Sequence, residues 1–375
     1  MRLVKRKLQK FLLLLLIAAM LLSLAACART VAPEDGEQEE PLKYEIVPAD
    51  LGRNVEIHTE EQAAYLNDKY KNIAQYTPEL ANTERSHPRE IALSWTVGGE
   101  NVPAGTIYRV SVGLSSDLKN AATYTTKETS LQLCNLYIGT TYFWKVSFEE
   151  GGATYESQTV SFATRGQGPR NIRIDGVTNC RDLGGWKTKD GKKVKQGLIY
   201  RTGRVVDITE AGKETMLKEL GIKTEIDLYG GGKVIDGINY QKCAVDSNGT
   251  LTDLAQKLPQ IFDILADESN YPVFFHCYIG TDRTGGLAYL IGGLLGVSEE
   301  YLYYDYCFSN FGKLSGDTAT SFTVRTPGYL DDKVVTTLKA LSTGSTLQQR
   351  VRNYLKEYVG VSDAKMDAVV RILTA

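Results

Sequence analysis

The sequence has almost no net charge, since its 43 lysine and arginine residues nearly balance its 45 aspartate and glutamate residues. Proteins that bind nucleic acids neutralise the phosphate backbone with a surplus of basic residues, and no such surplus exists here. We therefore predict no nucleic-acid partner, and any recognition of phosphate must come from a local site. The length of 375 residues exceeds what one ordinary core supports, which predicts two domains with shorter flanking segments.

Cysteine is scarce, and the six cysteines include no Cys-x-x-Cys pair. Zinc sites usually depend on such closely spaced ligands, so we predict no metal, and we predict no other cofactor. Apart from Cys27, the cysteines are Cys134, Cys180, Cys243, Cys277 and Cys307. Their odd number leaves at least one free thiol even if the others form disulfides.

The amino-terminal segment has the composition of an export signal. Its apolar run from Phe11 to Leu24 follows several basic residues and is shorter than the about 20 residues that span a bilayer as a helix. The last four residues of segment 1–27, Leu24 to Cys27, resemble the lipobox of bacterial lipoproteins. This resemblance implies lipidation of Cys27 and an extracytoplasmic protein that is lipid-anchored to a bacterial membrane. A plain signal peptide and an uncleaved anchor are the alternatives.

Residues 28–85 are predicted to form a tether and one possible helix. The stretch that follows Cys27 combines acidic residues with proline and glycine and has little to bury, which favours a flexible tether. Further along, Glu60 to Leu80 has a mildly amphipathic pattern that is compatible with one helix. We assign no function to this region.

Short alternating runs predict an all-β domain over residues 86–165. One such run, Thr106 to Val112, is bounded by turn-forming residues, which is typical of an antiparallel sandwich. The stretch from Leu136 to Val146 resembles the Leu-x-Pro-Gly-Thr-x-Tyr-x-x-x-Val signature of fibronectin type III domains, with Ile138 in place of the usual proline. This resemblance implies that the Tyr142 hydroxyl forms a hydrogen bond back to the preceding loop. The sequence does not identify a partner for this sandwich.

Residues 170–375 alternate strand-like and helical patterns and are predicted to form an α/β domain. The helical stretch from Thr209 to Leu220 is followed, for example, by the strand-like run from Ile222 to Leu228. The alternation predicts a mostly parallel sheet flanked by helices. In sheets of this kind, ligands bind at the carboxyl ends of the strands.

One segment of this domain has the features of a phosphate-binding loop. An apolar strand leads into residues 276–284, which read His-Cys-Tyr-Ile-Gly-Thr-Asp-Arg-Thr, and an apolar helix follows. The amides from Tyr278 to Arg283 can surround a phosphate dianion, and the positive end of the helix adds to their field. The same field stabilises a thiolate at Cys277. The planar guanidinium of Arg283 can bind two phosphate oxygens at once.

This loop resembles the His-Cys-x5-Arg-Thr loop of the cysteine-dependent protein-tyrosine phosphatases. Residues 179–185, 197–201 and 226–228 are similar to the Asn-x-Arg-Asp-Leu-Gly-Gly, Leu-x-Tyr-Arg and Asp-Leu-Arg blocks of the bacterial tyrosine/serine and lipid phosphatase branch. The resemblance extends from about Asn171 to the end of the chain. It implies a phosphoric monoester hydrolase of the protein-tyrosine-phosphatase type, with a cysteinyl-phosphate intermediate on Cys277.

The resemblance also implies a role for individual residues. Cys277 is the nucleophile, Arg283 binds the phosphate and stabilises the transition state, and Thr284 stabilises the leaving thiolate. Asp282 is the first candidate for the proton donor, because the Trp-Pro-Asp signature that many tyrosine phosphatases use is absent here.

Further residues of the loop and of the similar blocks are predicted to form the substrate site. They are His276, Tyr278, Ile279, Gly280, Thr281, Arg181, Asp182, Arg201 and Asp227. Within this set, Asp182 and Asp227 are alternative proton donors, although structural hydrogen bonding to Arg181 or to loop amides is the favoured explanation for both. His276 is predicted to orient the loop and not to act as a base.

Two departures from the branch bear on the substrate. Thr281 stands where lysine is usual, and Tyr229 stands where an arginine usually follows the Asp-Leu pair. Fewer cations at the loop disfavour multiply charged substrates. We therefore predict that the enzyme hydrolyses phosphotyrosine in a phosphorylated protein, or another small phosphate ester.

Three other functions compete with this prediction: hydrolysis of phosphoinositides or inositol phosphates, a rhodanese-like sulfurtransferase, and a surface binding protein in which the phosphatase-like domain is a scaffold. The Arg-Thr-Gly continuation at residues 283–285 and the block at residues 179–185 disfavour the sulfurtransferase. The intact Cys277, Asp282 and Arg283 disfavour the scaffold.

Overall fold

The computed structural model describes residues 43–68, 73–76, 83–166, 168–247, 249–314 and 323–375. The export signal predicted for residues 1–27, with the lipidation site Cys27, therefore lies outside the described residues. The described helices and strands all belong to one compact unit, Tyr44–Ala375. None of the helices in these ranges has the length and apolar character needed to cross a membrane.

Two antiparallel sheets form the part of the chain that precedes residue 165. The first has the order β1-β2-β5 and consists of β1 (Tyr44–Pro48), β2 (Ile91–Gly99) and β5 (Ser130–Leu133). The second has the order β4-β3-β6-β7, with β8 also paired to β6. Its strands are β3 (Tyr108–Gly113), β4 (Ala122–Thr126), β6 (Thr141–Glu150), β7 (Ala153–Glu156) and β8 (Val160–Ala163).

The two sheets bury their side chains in one hydrophobic cluster. Trp95 of the first sheet and Trp144 of the second both belong to it, and every second residue along β6 is buried, as the period of a strand requires. The hydroxyl of Tyr142 accepts a hydrogen bond of 2.7 Å from the amide of Tyr137. This is the bond back to the preceding loop that the sequence predicts for Tyr142.

The segment that precedes β2 contains more structure than a tether. β1 pairs antiparallel with β2 over its whole length, and Tyr44 is buried. The helix expected over residues 60–80 is shorter than predicted: α1 spans Glu60–Asn67, and a 3₁₀ turn follows at Ile73–Tyr76. Thr59 caps α1, because its side chain accepts a hydrogen bond from the amide three residues further on.

A mixed sheet of six strands forms the second half of the chain, in the order β13-β12-β14-β11-β10-β9. The strands are β9 (Arg170–Asn171), β10 (Arg181–Asp182), β11 (Ile199–Thr202), β12 (Thr224–Asp227), β13 (Asn239–Lys242) and β14 (Val273–His276). The four strands from β13 to β11 are parallel, whereas β10 and β9 are antiparallel to their neighbours. The expected combination of a sheet with helices is confirmed, and the parallel strands include β14.

Helices surround this sheet. They are α2 (Glu210–Glu214), α3 (Leu251–Ala255), α4 (Leu258–Leu265), α5 (Asp282–Leu294), α6 (Glu299–Cys307), α7 (Pro327–Leu330), α8 (Thr336–Leu341), α9 (Leu347–Asn353) and α10 (Asp363–Leu373). Short π-helical turns extend α2 at Thr215–Glu219, α7 at Asp331–Val335 and α9 at Tyr354–Val359. 3₁₀ turns lie at Glu268–Asn270 and Phe308–Phe311.

Helix α5 lies at the centre of this half, and nearly all its residues are buried. Glycines allow other elements to approach it closely. A Cβ atom at Gly285 would lie 2.6 Å from the ring of Tyr306 on α6, so a larger residue would push the two helices apart. This close packing fixes the first turn of α5 against α6.

Arg170 connects the antiparallel sheets to the mixed sheet. Its Nη1 donates to Asp182 on β10 at 2.8 Å, while its Nε and Nη2 donate to the carbonyls of Leu136 at 3.2 Å and of Asn135 at 2.6 Å. The guanidinium also lies 4.0 Å from the ring centroid of Tyr137. One buried cation therefore binds both halves of the chain.

Candidate active site

Cys277 follows the last residue of β14, at the carboxyl end of a central parallel strand. His276 lies opposite Thr202 of β11 on one side and Asp227 of β12 on the other. The chain then turns through residues 277–281 and enters α5 at Asp282. Cys277 is only 2% exposed. The predicted strand, loop and helix are thus all present.

The carbonyls of residues 278–281 all point away from the centre of this loop. They accept hydrogen bonds from the amide of Arg204, the side-chain amide of Asn179 and the guanidinium of Arg201, at distances from 2.8 to 3.3 Å. Because a trans peptide places C=O and the next N–H on opposite sides, the amides of residues 279–282 point the other way. Arg204, Asn179 and Arg201 hold the carbonyls outward, and the amides of the loop therefore point inward.

These amides are available to an anion. In the part of the chain that the structure describes, none of the amides of residues 278–284 donates to another protein atom. Thr281, which precedes α5, provides no side-chain cap for this helix. Unpaired amides at the amino terminus of a long helix favour an anionic ligand.

Gly280 is required at its position in the loop. Its φ angle is +71°, which other residues rarely adopt. A Cβ atom there would also lie 2.5 Å from the backbone of Gly203 and of Thr202. The loop can follow this path only with glycine at residue 280.

Arg283 lies in the first turn of α5 and is 8% exposed. Its Nη1 donates to the carbonyls of Leu228 at 3.2 Å and of Val245 at 3.1 Å. Within the described residues, Nε and Nη2 form no hydrogen bond, so they can bind two oxygens of one phosphate. The two carbonyls fix the plane of the guanidinium before a ligand arrives.

The sequence model of the tyrosine phosphatase family matches residues 172–375, which is more than half of the chain and includes the loop described above. The chain belongs to the tyrosine phosphatase family. The predicted family membership, and with it the assignment to a phosphatase class of enzymes, is confirmed.

Individual relatives cover less of the chain. A protein of Cupriavidus necator, whose name assigns it to the tyrosine-protein phosphatases, is 27% identical over 177 residues. The match covers 38% of this chain and 64% of that relative, so the chain spans less than two thirds of the relative's length.

Two solved structures are also similar. The core catalytic domain of the PP-IP phosphatase Siw14 from S. cerevisiae is 20% identical in sequence, with a TM-score of 0.26. The match covers 31% of this chain and 72% of the Siw14 chain. A fibronectin type III domain of the human KIAA0970 protein is also 20% identical in sequence, with a TM-score of 0.19. The match covers 31% of this chain and 91% of the chain of that domain.

The two arginines of the tyrosine phosphatase blocks lie beneath the loop. Arg181 and Arg201 are fully buried and donate to the carboxylate of Asp305 on α6 at 2.7 and 2.5 Å. Burial alone would raise the pKa of Asp305, but the two guanidinium groups outweigh it and hold that pKa below its usual value. Desolvation, together with the charge of Arg181, lowers the pKa of Arg201 to about 10. This network supports the loop, so the geometry does not favour direct substrate contact by either arginine.

Asp182 and Asp227 are also held by the protein. Asp182 is completely buried, pairs with Arg170, and accepts from the amides of Gly184 at 2.7 Å and Gly197 at 2.6 Å. Burial raises the pKa of Asp182. Its predicted roles in substrate binding and proton donation are not favoured, because these contacts place it between the two halves of the chain.

Asp227 anchors the loop that follows β12. It accepts from the amides of Tyr229 at 2.8 Å and Gly230 at 2.7 Å, and from the hydroxyl of Tyr240 at 2.8 Å. Burial opposes the charge of Asp227, but the nearby His276 and these donors keep its pKa below the usual value. Such a carboxylate is a poor proton donor.

His276 points away from the loop opening. Its Nε2 lies 2.9 Å from the carboxylate of Glu225, and its Nδ1 lies 3.2 Å from the carbonyl of Cys277. The ring therefore lies beside the Cys277 peptide, and its role in orienting the loop stays a prediction. Thr284 is fully buried, and its hydroxyl forms no hydrogen bond within the described ranges.

Asp282 forms a bidentate ion pair with Arg325. The two carboxylate oxygens accept from Nε and Nη2 of Arg325 at 2.9 Å each, and the hydroxyl of Tyr306 donates to Oδ1 at 2.9 Å. Three donors therefore occupy both oxygens of the Asp282 carboxylate, so each oxygen already has a protein partner. This pairing does not favour the predicted role of Asp282 as the proton donor.

Four residues of this site were not identified from the sequence: Asp305, Arg325, Glu225 and Arg204. Asp305 and Arg325 lie more than 20 residues beyond the loop, in segments without a recognisable motif. Glu225 lies on β12 and is fully buried, which is unexpected for a glutamate. These residues could have been identified only from their pairing with charged residues that are distant in the sequence.

Proposed function

We propose that this protein is an extracytoplasmic phosphatase that hydrolyses phosphate monoesters through a cysteinyl-phosphate intermediate on Cys277. The observation that carries the proposal is the loop of residues 278–284, whose unpaired amides and Arg283 converge next to a cysteine at the end of β14. A tetrahedral dianion is the ligand that such an arrangement fits best.

The reaction has two steps. The Cys277 thiolate attacks phosphorus, the bond to the ester oxygen breaks, and that oxygen leaves with a proton from a general acid. Water then attacks the cysteinyl phosphate and releases phosphate and the thiolate. The inward amides and Arg283 stabilise the charge on the equatorial oxygens in both steps. The Thr284 hydroxyl, which has no described partner, is available to stabilise the thiolate.

We assign the proton donor to Asp246. Val245 accepts a hydrogen bond from Arg283 through its carbonyl, and a Cβ atom at Gly249 would lie 3.1 Å from the Arg283 side chain. Asp246 lies between Val245 and Gly249 along the chain, so its backbone is near Arg283, and the residue is exposed. Asp282, whose carboxylate is held by Arg325 and Tyr306, is better suited to act as the base that activates water in the second step.

Two aromatic side chains support phosphotyrosine as the substrate. The rings of Tyr229 and Tyr278 lie 5.3 Å apart beside the loop, and Tyr229 is 42% exposed. An exposed aromatic wall stabilises an aryl group by stacking and offers little to an alkyl ester. Phosphoinositides and inositol phosphates are less favoured, since Thr281 contributes no cation.

The test is phosphate release from a panel that contains phosphotyrosine peptides, phosphoserine peptides, phosphoinositides and inositol phosphates. We expect release that depends on Cys277 and is fastest with phosphotyrosine. Fastest release from an inositol phosphate would replace the proposed substrate, and release independent of Cys277 would contradict the mechanism.

Replacing Arg283 with lysine is expected to slow hydrolysis by about 10²–10³-fold, because lysine keeps the charge but loses the two-point contact with the equatorial oxygens. The loss should appear in kcat for every ester tested. Arg109→Ala, on the exposed face of β3, is the control and should behave as wild type. A loss of only a few-fold would show that charge alone is needed at this position.

We also propose that Cys27 carries a lipid and that the antiparallel sheets form a fibronectin type III-like module. The bond between Tyr142 and Tyr137 and the shared core of the two sheets support the module. Cys27→Ser should move the protein from the membrane fraction to the soluble fraction while phosphatase activity is retained. Retention of the variant in the membrane would contradict the lipid anchor.

A further inference from the structure

A cavity of about 440 Å³ opens beside the catalytic loop. Its volume is in the range of pockets that bind small molecules. Tyr278 and Ile279 of the loop form one side of it. The other lining residues are Glu84, His87, Gly176, Val177, Thr178, Arg204, Asp207 and Lys313. Whatever is attached to a phosphate in the loop can therefore extend into this space.

Part of the cavity wall comes from outside the region that the family shares. Glu84 and His87 precede residue 172, where the family match begins. The backbone of their segment is fixed: Gln62 donates from Nε2 to the carbonyls of Arg85 at 2.7 Å and of His87 at 2.8 Å. The His87 side chain is thus placed by a backbone contact that does not depend on its imidazole.

The charges of the cavity argue against a polyanionic ligand. The cavity is lined by two basic residues, Arg204 and Lys313, and by two acidic residues, Glu84 and Asp207, so the numbers of positive and negative groups are equal. The Glu84 carboxylate also accepts from the Thr178 hydroxyl, so it is fixed in the wall. A substrate with several phosphates would bring its additional charges close to these carboxylates.

The remaining surface suits a polypeptide. Val177 and Ile279 contribute apolar side chains, and the ring of Tyr278 lies 4.4 Å from the guanidinium of Arg204. The Nε2 atom of His87 is buried and forms no hydrogen bond within the described residues. Apolar contacts and a few polar groups of both signs match the mixed chemistry of a peptide chain.

We propose that this cavity binds the polypeptide adjacent to the phosphorylated residue, and that the segment containing Glu84 and His87 determines which phosphoproteins are accepted. The proposal rests on the proposed phosphatase activity and adds its substrate class and a recognition site. Under this proposal the active site has two parts: the catalytic loop, which lies in the region matched by the family, and the segment containing Glu84 and His87, which precedes that region.

The test compares a phosphotyrosine peptide of about ten residues with phenyl phosphate, which has no chain to enter the cavity. For His87→Ala and for Asp207→Ala, we expect the ratio of kcat/KM for the peptide to kcat/KM for phenyl phosphate to fall about tenfold. For Arg109→Ala, the ratio should match wild type. Asp207 is largely exposed, so this variant remains informative if His87→Ala fails to fold.

Other outcomes would overturn the inference. An unchanged ratio in both variants would show that the peptide does not use the cavity. Competition by inositol hexakisphosphate that is weakened by His87→Ala would assign the cavity to a polyanion instead. If wild type fails to release phosphate from phenyl phosphate, the proposed function fails and not only its substrate class.

Discussion

Cys277→Ser is expected to reduce phosphate release by on the order of 10⁵-fold, because serine at this position lacks the nucleophilic thiolate while the rest of the site remains. The amides of residues 278–284 and the guanidinium of Arg283 do not depend on the sulfur, since Asn179 and Arg201 hold the loop from below. The variant should therefore bind phosphate-like oxyanions with near wild-type affinity. Steady-state phosphate release and oxyanion binding by calorimetry measure the two effects separately.

Cys134→Ser is the matched control for this experiment. Cys134 is only partly buried and lies just beyond β5, far along the chain from the loop. It should retain full activity. Turnover of Cys277→Ser near the wild-type rate would exclude a cysteinyl phosphate, and loss of both turnover and oxyanion binding would indicate a collapsed loop.

Asp246→Asn is expected to slow hydrolysis of a phosphotyrosine peptide by about 10²–10⁴-fold, the usual contribution of a proton donor. The same variant should hydrolyse p-nitrophenyl phosphate at nearly the wild-type rate, since that leaving group is already acidic and needs no proton. The pH profiles of kcat for the two substrates provide the measurement. The difference between substrates, and not the absolute loss, identifies a general acid.

Asp282→Asn is the companion variant and should behave differently. Arg325 and Tyr306 hold the Asp282 carboxylate at the start of α5, and we assign it the role of the base, so the loss of this carboxylate should slow the attack of water on the intermediate. The kcat of this variant should therefore fall by the same factor for both substrates. With p-nitrophenyl phosphate, we expect a burst of nitrophenol followed by slow turnover. A selective loss on the peptide in Asp282→Asn would restore Asp282 as the acid and overturn the assignment to Asp246.

The sequence predicted the parts of the site that are contiguous along the chain. Cys277, Arg283 and the helix that follows them form one local unit, whose chemistry depends on neighbouring amides, so a motif is sufficient to find it. The placement of this unit at the end of a parallel strand also followed from the alternation of strands and helices.

The parts that the sequence did not predict depend on distant pairings. Asp305 belongs to the site only because Arg181 and Arg201 form ion pairs with it in the folded chain. Arg325 belongs to the site only because it forms an ion pair with Asp282. Each of these side chains alone is typical of a surface residue. The substrate-binding roles of Arg181, Arg201, Asp182 and Asp227 stay predictions. A family block does not distinguish residues that contact the ligand from residues that position the loop, and the contacts of these four side chains favour positioning.

The contacts of Arg170 and its neighbours affect how the chain can be divided for laboratory work. The family match begins at Ile172, a natural place to start a recombinant fragment. A fragment that begins there would lose Arg170 and leave Asp182 as a buried charge without its cation. It would also lose the side chain of Asn135, which accepts from the amide of Arg173 at 2.7 Å. We therefore expect the catalytic half to be unstable as a separate fragment, and we expect the two halves to denature in a single cooperative transition.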